Sequence, residues 1–151
     1  MEKIRSQITD HRSQLSEREV LKGLIGKPYL AGGRGPQAFD CLGLHMEIQL
    51  RAGIECPEIA TPEDPAEWEA LFIETLHNHY CKWQRPMPWC PVVFRFRDVD
   101  GDRQMHWHLG TVLPDTRKMI TTTQDAKSHI CTIHNNPLWT ATLEGYYRYM
   151  P

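Results

Sequence analysis

The protein has 151 residues with 17 basic and 19 acidic side chains, so its formal net charge is −2, and no basic run or stripe suggests nucleic-acid binding. This length predicts a single domain over residues 1–151 that buries about two-thirds of its unfolded surface. No apolar segment is long enough to span a membrane and the N-terminus lacks the apolar region of a signal peptide, so we expect synthesis in the cytoplasm and no membrane insertion.

A short helix is predicted near the N-terminus, between Ser16 and Ile25. Ser16 and Glu19 have the spacing of a capping box, in which each side chain accepts a hydrogen bond from the backbone of the other. An apolar stripe follows at helical spacing, and the sequence Gly26-Lys27-Pro28 predicts the end of this helix.

The segment from Lys27 to Gly53 combines a glycine- and proline-rich loop with a helix that begins at a cysteine. Asp40 is a good N-cap residue and Gly53 suits the left-handed position after a helix, so we expect a helix from Cys41 to Ala52. Alternating apolar residues would also fit a strand, but the cap and the length favour a helix. The Cys41 thiol would then lie at the positive end of the helix macrodipole, which favours a thiolate. The alternative is a buried structural thiol.

A further helix is predicted after the loop that contains Cys56 and Pro57. Asp64 has the position of an N-cap and Pro65 that of the first helical residue. Apolar side chains then recur at helical spacing as far as His79, which predicts an amphipathic helix. The helical part of the chain is therefore expected to cover about residues 1–85.

The remaining chain, from about residue 91 to 150, has the pattern of an antiparallel sheet. A strand is predicted from Val92 to Arg97, a hairpin turn at Asp100-Gly101 and a returning strand from His106 to Leu113. Further strands are predicted at residues 117–123, 128–133 and 144–149. Because the helices precede the strands, the sequence predicts an α+β fold with a meander-like sheet.

Two histidines of the returning strand are candidates for chemistry. His106 and His108 share one face of a strand, and a sheet packed on the Cys41 helix could bring them to the thiol. A Cys–His pair can transfer acyl groups, because imidazole takes the thiol proton and the thiolate attacks a carbonyl. A zinc site using both histidines and a cysteine is the alternative. No CxxC or HxxxH spacing is present, so neither a metal nor another cofactor is predicted.

The cysteine content predicts free thiols. The cysteines are odd in number and widely spaced, and no export signal accompanies them. We therefore expect the protein to reside in a reducing compartment, where all five cysteines stay reduced. They are Cys41, Cys56, Cys81, Cys90 and Cys131.

Two segments together resemble the NlpC/P60 cysteine peptidases. The sequence PYLAGGRGPQAFDCLGLHMEIQLRAGI, residues 28–54, is similar to their nucleophile motif, with Tyr and Gly-Gly ahead of Phe-Asp-Cys-x-Gly-Leu. The sequence WHLGTVLPD, residues 107–115, resembles their His-hydrophobic-Gly strand. The combination of FDCLGL with GYYR at residues 145–148 is most similar to the phage-encoded branch of cell-wall peptidases and tail-assembly proteins.

The resemblance implies a papain-like α+β fold and hydrolysis of an amide bond in peptidoglycan stem peptides, between D-glutamate and a diamino acid. By position, Cys41 matches the nucleophile and His108 the base, with His106, its neighbour on the same face, as the alternative base. Tyr29 matches a tyrosine that shapes the substrate site, where Asp40 and His106 are also expected.

The third catalytic position departs from the pattern of the family. The family orients its histidine with a polar residue on the next strand, often another histidine, and here Thr121 falls at that place. A hydroxyl can accept a hydrogen bond from the imidazole but carries no charge to stabilise an imidazolium. Thr122 and Gln124 are the alternatives if the register is shifted.

Three functions remain open from the sequence. The first is a cysteine hydrolase whose partner is the peptidoglycan stem peptide. The second is a catalytically weak or inactive structural component of a phage tail, with other tail proteins as partners and the virion as its location. The third is a domain that binds a metal through histidine and cysteine.

Overall fold

The computed structural model describes residues 15–59, 64–97 and 105–151. These residues form ten helices and strands. The helices come mainly first and the strands mainly second. In chain order the elements are α1 (Glu17–Leu21), α2 (Cys41–Ala52), α3 (Pro65–His79), β1 (Tyr80–Trp83), β2 (Pro91–Arg97), β3 (Met105–Val112), β4 (Lys118–Thr123), β5 (Ala126–Thr132), α4 (Pro137–Thr142) and β6 (Leu143–Tyr149).

The first helix has the predicted start but is shorter than predicted. The Ser16 side chain accepts from the backbone of Glu19, and the Glu19 side chain accepts from the backbone of Ser16, which confirms the capping box. The helix ends at Leu21 because Gly23 and Gly26 both adopt positive φ angles, which a right-handed helix does not accommodate.

Helix α2 has the predicted bounds, Cys41–Ala52. Asp40 caps its first turn, and Gly53 adopts the left-handed conformation after its last turn. The Gly53 N–H donates to the carbonyl of Leu50, and the next amide donates to that of Gln49, so the helix ends with its carbonyls satisfied.

The six strands form one antiparallel sheet in the order β1-β6-β2-β3-β4-β5. Strands β2 to β5 follow one another as neighbours, as a meander requires. The C-terminal strand β6 then returns to the far side of β2 and pairs with both β2 and β1. The α+β fold class predicted from the sequence is confirmed.

The two faces of the sheet are covered by different helices. Helices α1, α2 and α3 pack on the face that carries Val93, Leu109 and Ile120. Helix α4 covers the opposite face through Trp139, which packs with side chains of β2, β3 and β4. Cys41 begins α2, and His108 of β3 has its side chain on the face that α4 covers.

Two elements have no counterpart in the sequence prediction. Strand β1 follows α3 without a turn signal and continues the chain as an edge strand, so that the helical half ends before residue 85. Helix α4 begins at Pro137, where Asn136 provides the cap and proline occupies the first helical position. The predicted hairpin turn at Asp100-Gly101 and residues 1–14 lie outside the described part of the chain.

Candidate active site

The start of helix α2 is fixed by the carboxylate of Asp40. One oxygen of Asp40 accepts from the Gly43 amide at 2.6 Å and from Nη1 of Arg34 at 2.8 Å. The other oxygen accepts from the Gly32 amide at 3.0 Å. Only 2% of Asp40 is exposed, so the predicted contact with substrate does not fit its position. Asp40 instead joins the loop to the helix and thereby positions Cys41.

The loop approaches the first turn of α2 so closely that one position admits only glycine. A Cβ atom on Gly43 would clash with the carbonyl oxygen of Gly33. The Gly33 carbonyl also accepts the Asp40 amide at 3.2 Å. The Gly-Gly and Asp-Cys-x-Gly segments of the sequence are therefore complementary parts of a single turn.

The Cys41 thiol is buried, with 7% of the residue exposed. Burial raises the pKa of the thiol to about 12, and the nearby Asp40 carboxylate raises it further, although the backbone N–H groups of Leu109, Leu42 and Cys41 itself favour the thiolate. The resting thiol is neutral at pH 7. Burial of Cys41 therefore disfavours the thiolate that the helix start alone would favour.

The imidazole of His108 is held by Thr121 on the neighbouring strand. His108 Nε2 and Thr121 Oγ1 are 2.7 Å apart, and the same hydroxyl donates to the Leu109 carbonyl at 2.9 Å. Because its only proton is used in that bond, Thr121 accepts from His108, which places the imidazole proton on Nε2. The lone pair of Nδ1 is then available as a base.

Aromatic rings enclose His108 and affect its protonation. Its ring stacks on Trp139 with centroids 5.4 Å apart and lies 6.2 Å from the ring of Phe94. Burial lowers the pKa of His108 to about 4, with a smaller contribution from His129. The imidazole is neutral at pH 7 and can accept a proton.

Cys41 and His108 lie on opposite faces of the sheet, because Cys41 packs with Val93 and Leu109 whereas His108 stacks on Trp139. The ladder between β3 and β4 is paired at Thr111 and Val112. Beyond it, the amide N–H of Leu109 lies against the Cys41 sulfur and its carbonyl accepts from Thr121. The side chain of His108 is on the α4 face, and the described contacts include no hydrogen bond between its ring and the thiol.

Tyr29 lies close to the thiol, as the resemblance implied, and Gln124 is its partner. The Gln124 side chain hydrogen-bonds the Tyr29 hydroxyl and favours the phenolate. Burial has the larger effect and raises the pKa of Tyr29, and the charges of Cys41 and Asp40 raise it further. Gln124 therefore contacts the predicted substrate residue and not the imidazole.

The remaining two predicted site residues lie apart from this group. The Thr122 hydroxyl faces the Ala126 carbonyl at 3.4 Å on strand β5, so Thr122 does not contact the imidazole of His108. His106 is exposed on β3, opposite Phe96 of β2. Of the three candidates for the orienting position, only Thr121 contacts His108 in the structure.

One buried histidine of α2 was not singled out from the sequence. His45 follows Cys41 by one helical turn, and its Nδ1 lies 2.7 Å from Thr111 Oγ1 on β3. Its Nε2 is buried and has no partner among the described residues. Burial lowers the pKa of His45 to about 3. A histidine at this helical position resembles an ordinary core residue in sequence, and only its contact with Thr111 distinguishes it.

The arrangement contains the groups for acyl transfer and no evident metal site. Within residues 15–59, 64–97 and 105–151, no three histidine, cysteine or acidic side chains are placed to hold a metal ion. Across the same ranges, no helix is both long and apolar enough to cross a bilayer. The five cysteines are free.

The fold is that of the NlpC/P60 proteins. A lipoprotein-like NLP/P60 family protein of Staphylococcus aureus superposes with a TM-score of 0.60 at 20% identity, over 94% of this chain and 42% of that one. An NlpC/P60 family protein of Bacillus cereus gives a TM-score of 0.58 at 20% identity, over 93% of this chain and 42% of that chain. The chain thus spans less than half the length of these two proteins.

The chain also superposes on a solved NlpC/p60 domain over the whole length of that domain. The NlpC/p60 domain of the peptidoglycan hydrolase SagA matches with a TM-score of 0.50 at 16% identity, over 90% of this chain and 100% of that domain. No protein-family model and no curated protein matches the sequence. The papain-like NlpC/P60 fold predicted from the sequence is confirmed by the structural comparison.

Proposed function

We propose that the protein is a cysteine hydrolase that cleaves an amide bond in peptidoglycan stem peptides. The observation that supports this most is the arrangement around the backbone of Leu109. Its N–H faces the Cys41 sulfur, its carbonyl binds Thr121, and Thr121 holds the imidazole of the preceding residue, His108. The proposed nucleophile and the proposed orienting residue thus both hydrogen-bond the backbone of Leu109, and the proposed base is the residue directly before it.

The first chemical step is a proton transfer that coincides with attack. Thiol and imidazole are both neutral at rest, because burial disfavours the charged form of each. In the proposed step a substrate carbonyl binds at the start of α2, and His108 Nδ1 takes the thiol proton as the sulfur adds to the carbonyl carbon. This step requires the His108 ring to reach the thiol from the α4 face once substrate is bound. The alternative, a preformed thiolate–imidazolium pair, would require two buried charges before substrate arrives.

The later steps use the same groups in turn. Backbone N–H groups at the helix start, including that of Cys41, stabilise the oxyanion of the tetrahedral intermediate. The imidazolium of His108 then protonates the leaving amine, and a thioester forms on Cys41. Water, deprotonated by His108, attacks the thioester, and the carboxylate product leaves with the thiol restored.

The bond proposed for cleavage joins D-glutamate to the diamino acid of the stem peptide. This part of the proposal rests on the resemblance of residues 28–54 and 107–115 to the NlpC/P60 motifs. Tyr29 and His106 are the proposed substrate contacts. Tyr29 is half-buried beside the thiol and retains a hydroxyl held by Gln124, and His106 is exposed two residues before the base.

The experiment is digestion of a panel of synthetic stem peptides followed by mass spectrometry of the products. The panel varies the diamino acid and places one scissile amide at a time in normal or γ linkage. We expect cleavage after D-glutamate only. Cleavage at another amide would overturn the proposed bond, and no cleavage of any peptide by the protein would overturn the proposed activity.

A second candidate is a catalytically weak relative that serves as a structural part of a phage tail. The observation that favours it is the uncharged Thr121, which cannot stabilise an imidazolium as a charged partner does. The similarity of FDCLGL and GYYR to the phage branch favours tail proteins as partners and the virion as the location. Its test is tail assembly in a phage that carries the Cys41→Ala variant. Intact but lysis-deficient particles favour the enzyme, whereas fully functional particles favour the structural role.

A further inference from the structure

A cavity lies away from the thiol, on the outer side of helix α2. It has a volume of about 350 Å³ and is bounded by the turn after α1, by the loop ahead of α2 and by α2 itself. Its charged lining consists of Lys22, Lys27, Arg34, Glu47 and Arg51. Glu47 and Arg51 follow Cys41 by six and ten residues of helix, so the cavity lies about two to three turns along α2 from the nucleophile.

Two of the four cationic side chains in the cavity wall, Arg34 and Arg51, form ion pairs with carboxylates. Nε of Arg51 pairs with Glu47 at 2.9 Å, and Nη1 of Arg51 donates to the carbonyls of Val20 at 3.1 Å and Lys22 at 2.6 Å. Arg34 pairs with the buried Asp40 at 2.8 Å. These contacts hold both guanidinium groups in place, so they are part of a rigid wall.

The two lysines provide an excess of positive charge. Neither Lys22 nor Lys27 forms an ion pair with any residue of the described part of the chain. The cavity wall therefore carries two positive charges that no carboxylate in the described part of the chain neutralises. A cavity lined by one sign of charge concentrates counter-ions of the other sign.

The lining also has an apolar part. Leu24, Pro36 and Phe39 complete the wall beside the cations, and Phe39 is a core residue with 1% of its surface exposed. A pocket of a few hundred Å³ with an apolar floor and a few charged groups has the character of a small-molecule site.

We propose that this cavity binds a small organic dianion, such as a phosphate monoester, between Lys22 and Lys27. The lysines supply the neutralising charge, and the fixed guanidinium of Arg34 borders the anionic group. The exposed ring of Pro36 contacts the organic part of the ligand. This site uses none of the residues around Leu109, and its one link to the start of α2 is the ion pair between Arg34 and Asp40.

The test is calorimetric titration of the whole protein with glycerol 3-phosphate, inorganic phosphate and succinate at low and physiological ionic strength. The double variant Lys22→Gln, Lys27→Gln is compared with Lys118→Gln, Lys127→Gln, which removes two exposed lysines of β4 and β5. We expect saturable binding of glycerol 3-phosphate that weakens about tenfold or more in the first variant, from the loss of two charge-assisted contacts, and is unchanged in the second.

Three results would overturn the proposal: no saturable binding, equal weakening in both double variants, or equal affinity for all three ligands that vanishes at physiological ionic strength. Tighter binding of succinate than of glycerol 3-phosphate keeps the dianion site and identifies its ligands as dicarboxylates. Cys41→Ala should bind with unchanged affinity. The measurement needs no turnover, so it succeeds or fails separately from the proposed hydrolase activity.

Discussion

Thr121 accepts a hydrogen bond from His108 across neighbouring strands, and the direction of that bond follows from a third group. The Thr121 hydroxyl proton is donated to the Leu109 carbonyl at 2.9 Å, so at 2.7 Å from Nε2 it can only accept. The neutral tautomer that results leaves the base at Nδ1. A threonine can therefore orient the imidazole, but it carries no charge to stabilise the imidazolium.

Replacement of Thr121 by valine removes the acceptor and keeps the shape of the side chain. We expect kcat to fall about tenfold to a hundredfold, because the imidazole loses its fixed tautomer, while KM changes little. Steady-state kinetics on a stem peptide measure both constants. Thr122→Val is the matched control, since its hydroxyl faces the Ala126 carbonyl. Equal losses in the two variants would remove Thr121 from the site.

The neutral resting thiol of Cys41 predicts slow alkylation. Burial raises its pKa to about 12, so the thiolate fraction at pH 7 is small and the sulfur is poorly accessible. Iodoacetamide labelling followed by peptide mass spectrometry should therefore modify the more exposed Cys81 before Cys41 at pH 7. Fast and selective labelling of Cys41 at pH 5 would reveal a preformed ion pair with His108 and contradict the general-base route.

An alanine at Gly43 should destabilise the fold, although Gly→Ala within a helix ordinarily stabilises by about 0.5–1 kcal/mol. The reason is the clash of the new Cβ with the Gly33 carbonyl, which is backbone and cannot move aside alone. We expect a lower free energy of unfolding in urea by about 1–3 kcal/mol. The control is Leu50→Ala, which lies on the same helix with 75% of its surface exposed and should change stability little.

The buried histidines predict a loss of stability in acid. The pKa values of His45 and His108 are lowered to about 3 and about 4 in the folded protein, below the unfolded value of about 6.5. Between these limits the unfolded state binds more protons, so the free energy of unfolding falls as the pH drops below about 6.5. The stability they contribute is complete above that pH.

This pH dependence is measured by urea unfolding between pH 4 and 8. The variant His45→Asn keeps a polar atom near the Thr111 hydroxyl and should flatten the curve below pH 6.5. The control His77→Gln removes an exposed histidine of α3 and should leave the curve unchanged. A wild-type curve that is flat from pH 6.5 to pH 4 would mean that neither imidazole is held neutral by burial.

The sequence predicted those features of the fold that depend on neighbouring residues. Helix α2 has its predicted bounds because its cap and its C-terminal glycine are local signals. Strands β2 to β5 were recognisable from alternation and β-forming residues. Strand β1 was not, because it follows α3 directly and is stabilised by pairing with β6, more than sixty residues later. Helix α4 was missed because Asn136-Pro137 reads equally well as a turn.

The site was less predictable, because its properties come from the tertiary environment. The resemblance to the NlpC/P60 pattern pointed to Thr121, and the structure places its hydroxyl beside His108. The sequence could not indicate that Gln124 hydrogen-bonds Tyr29. Nor could it indicate that the Asp40 carboxylate accepts hydrogen bonds from the loop and does not face a substrate. The helix start predicted a thiolate at Cys41, but the pKa depends on burial, which a linear pattern does not report.

The central claim is that Cys41 is the nucleophile of an amide hydrolase. Its most direct test is the rate of cleavage of a D-glutamyl–diamino acid stem peptide by the wild type, by Cys41→Ala and by the control Cys90→Ala, which removes another buried cysteine. We predict measurable turnover by the wild type and by Cys90→Ala, and a loss of about a thousandfold or more in Cys41→Ala. Equal rates for the wild type and Cys41→Ala would contradict the assignment of Cys41 as the nucleophile.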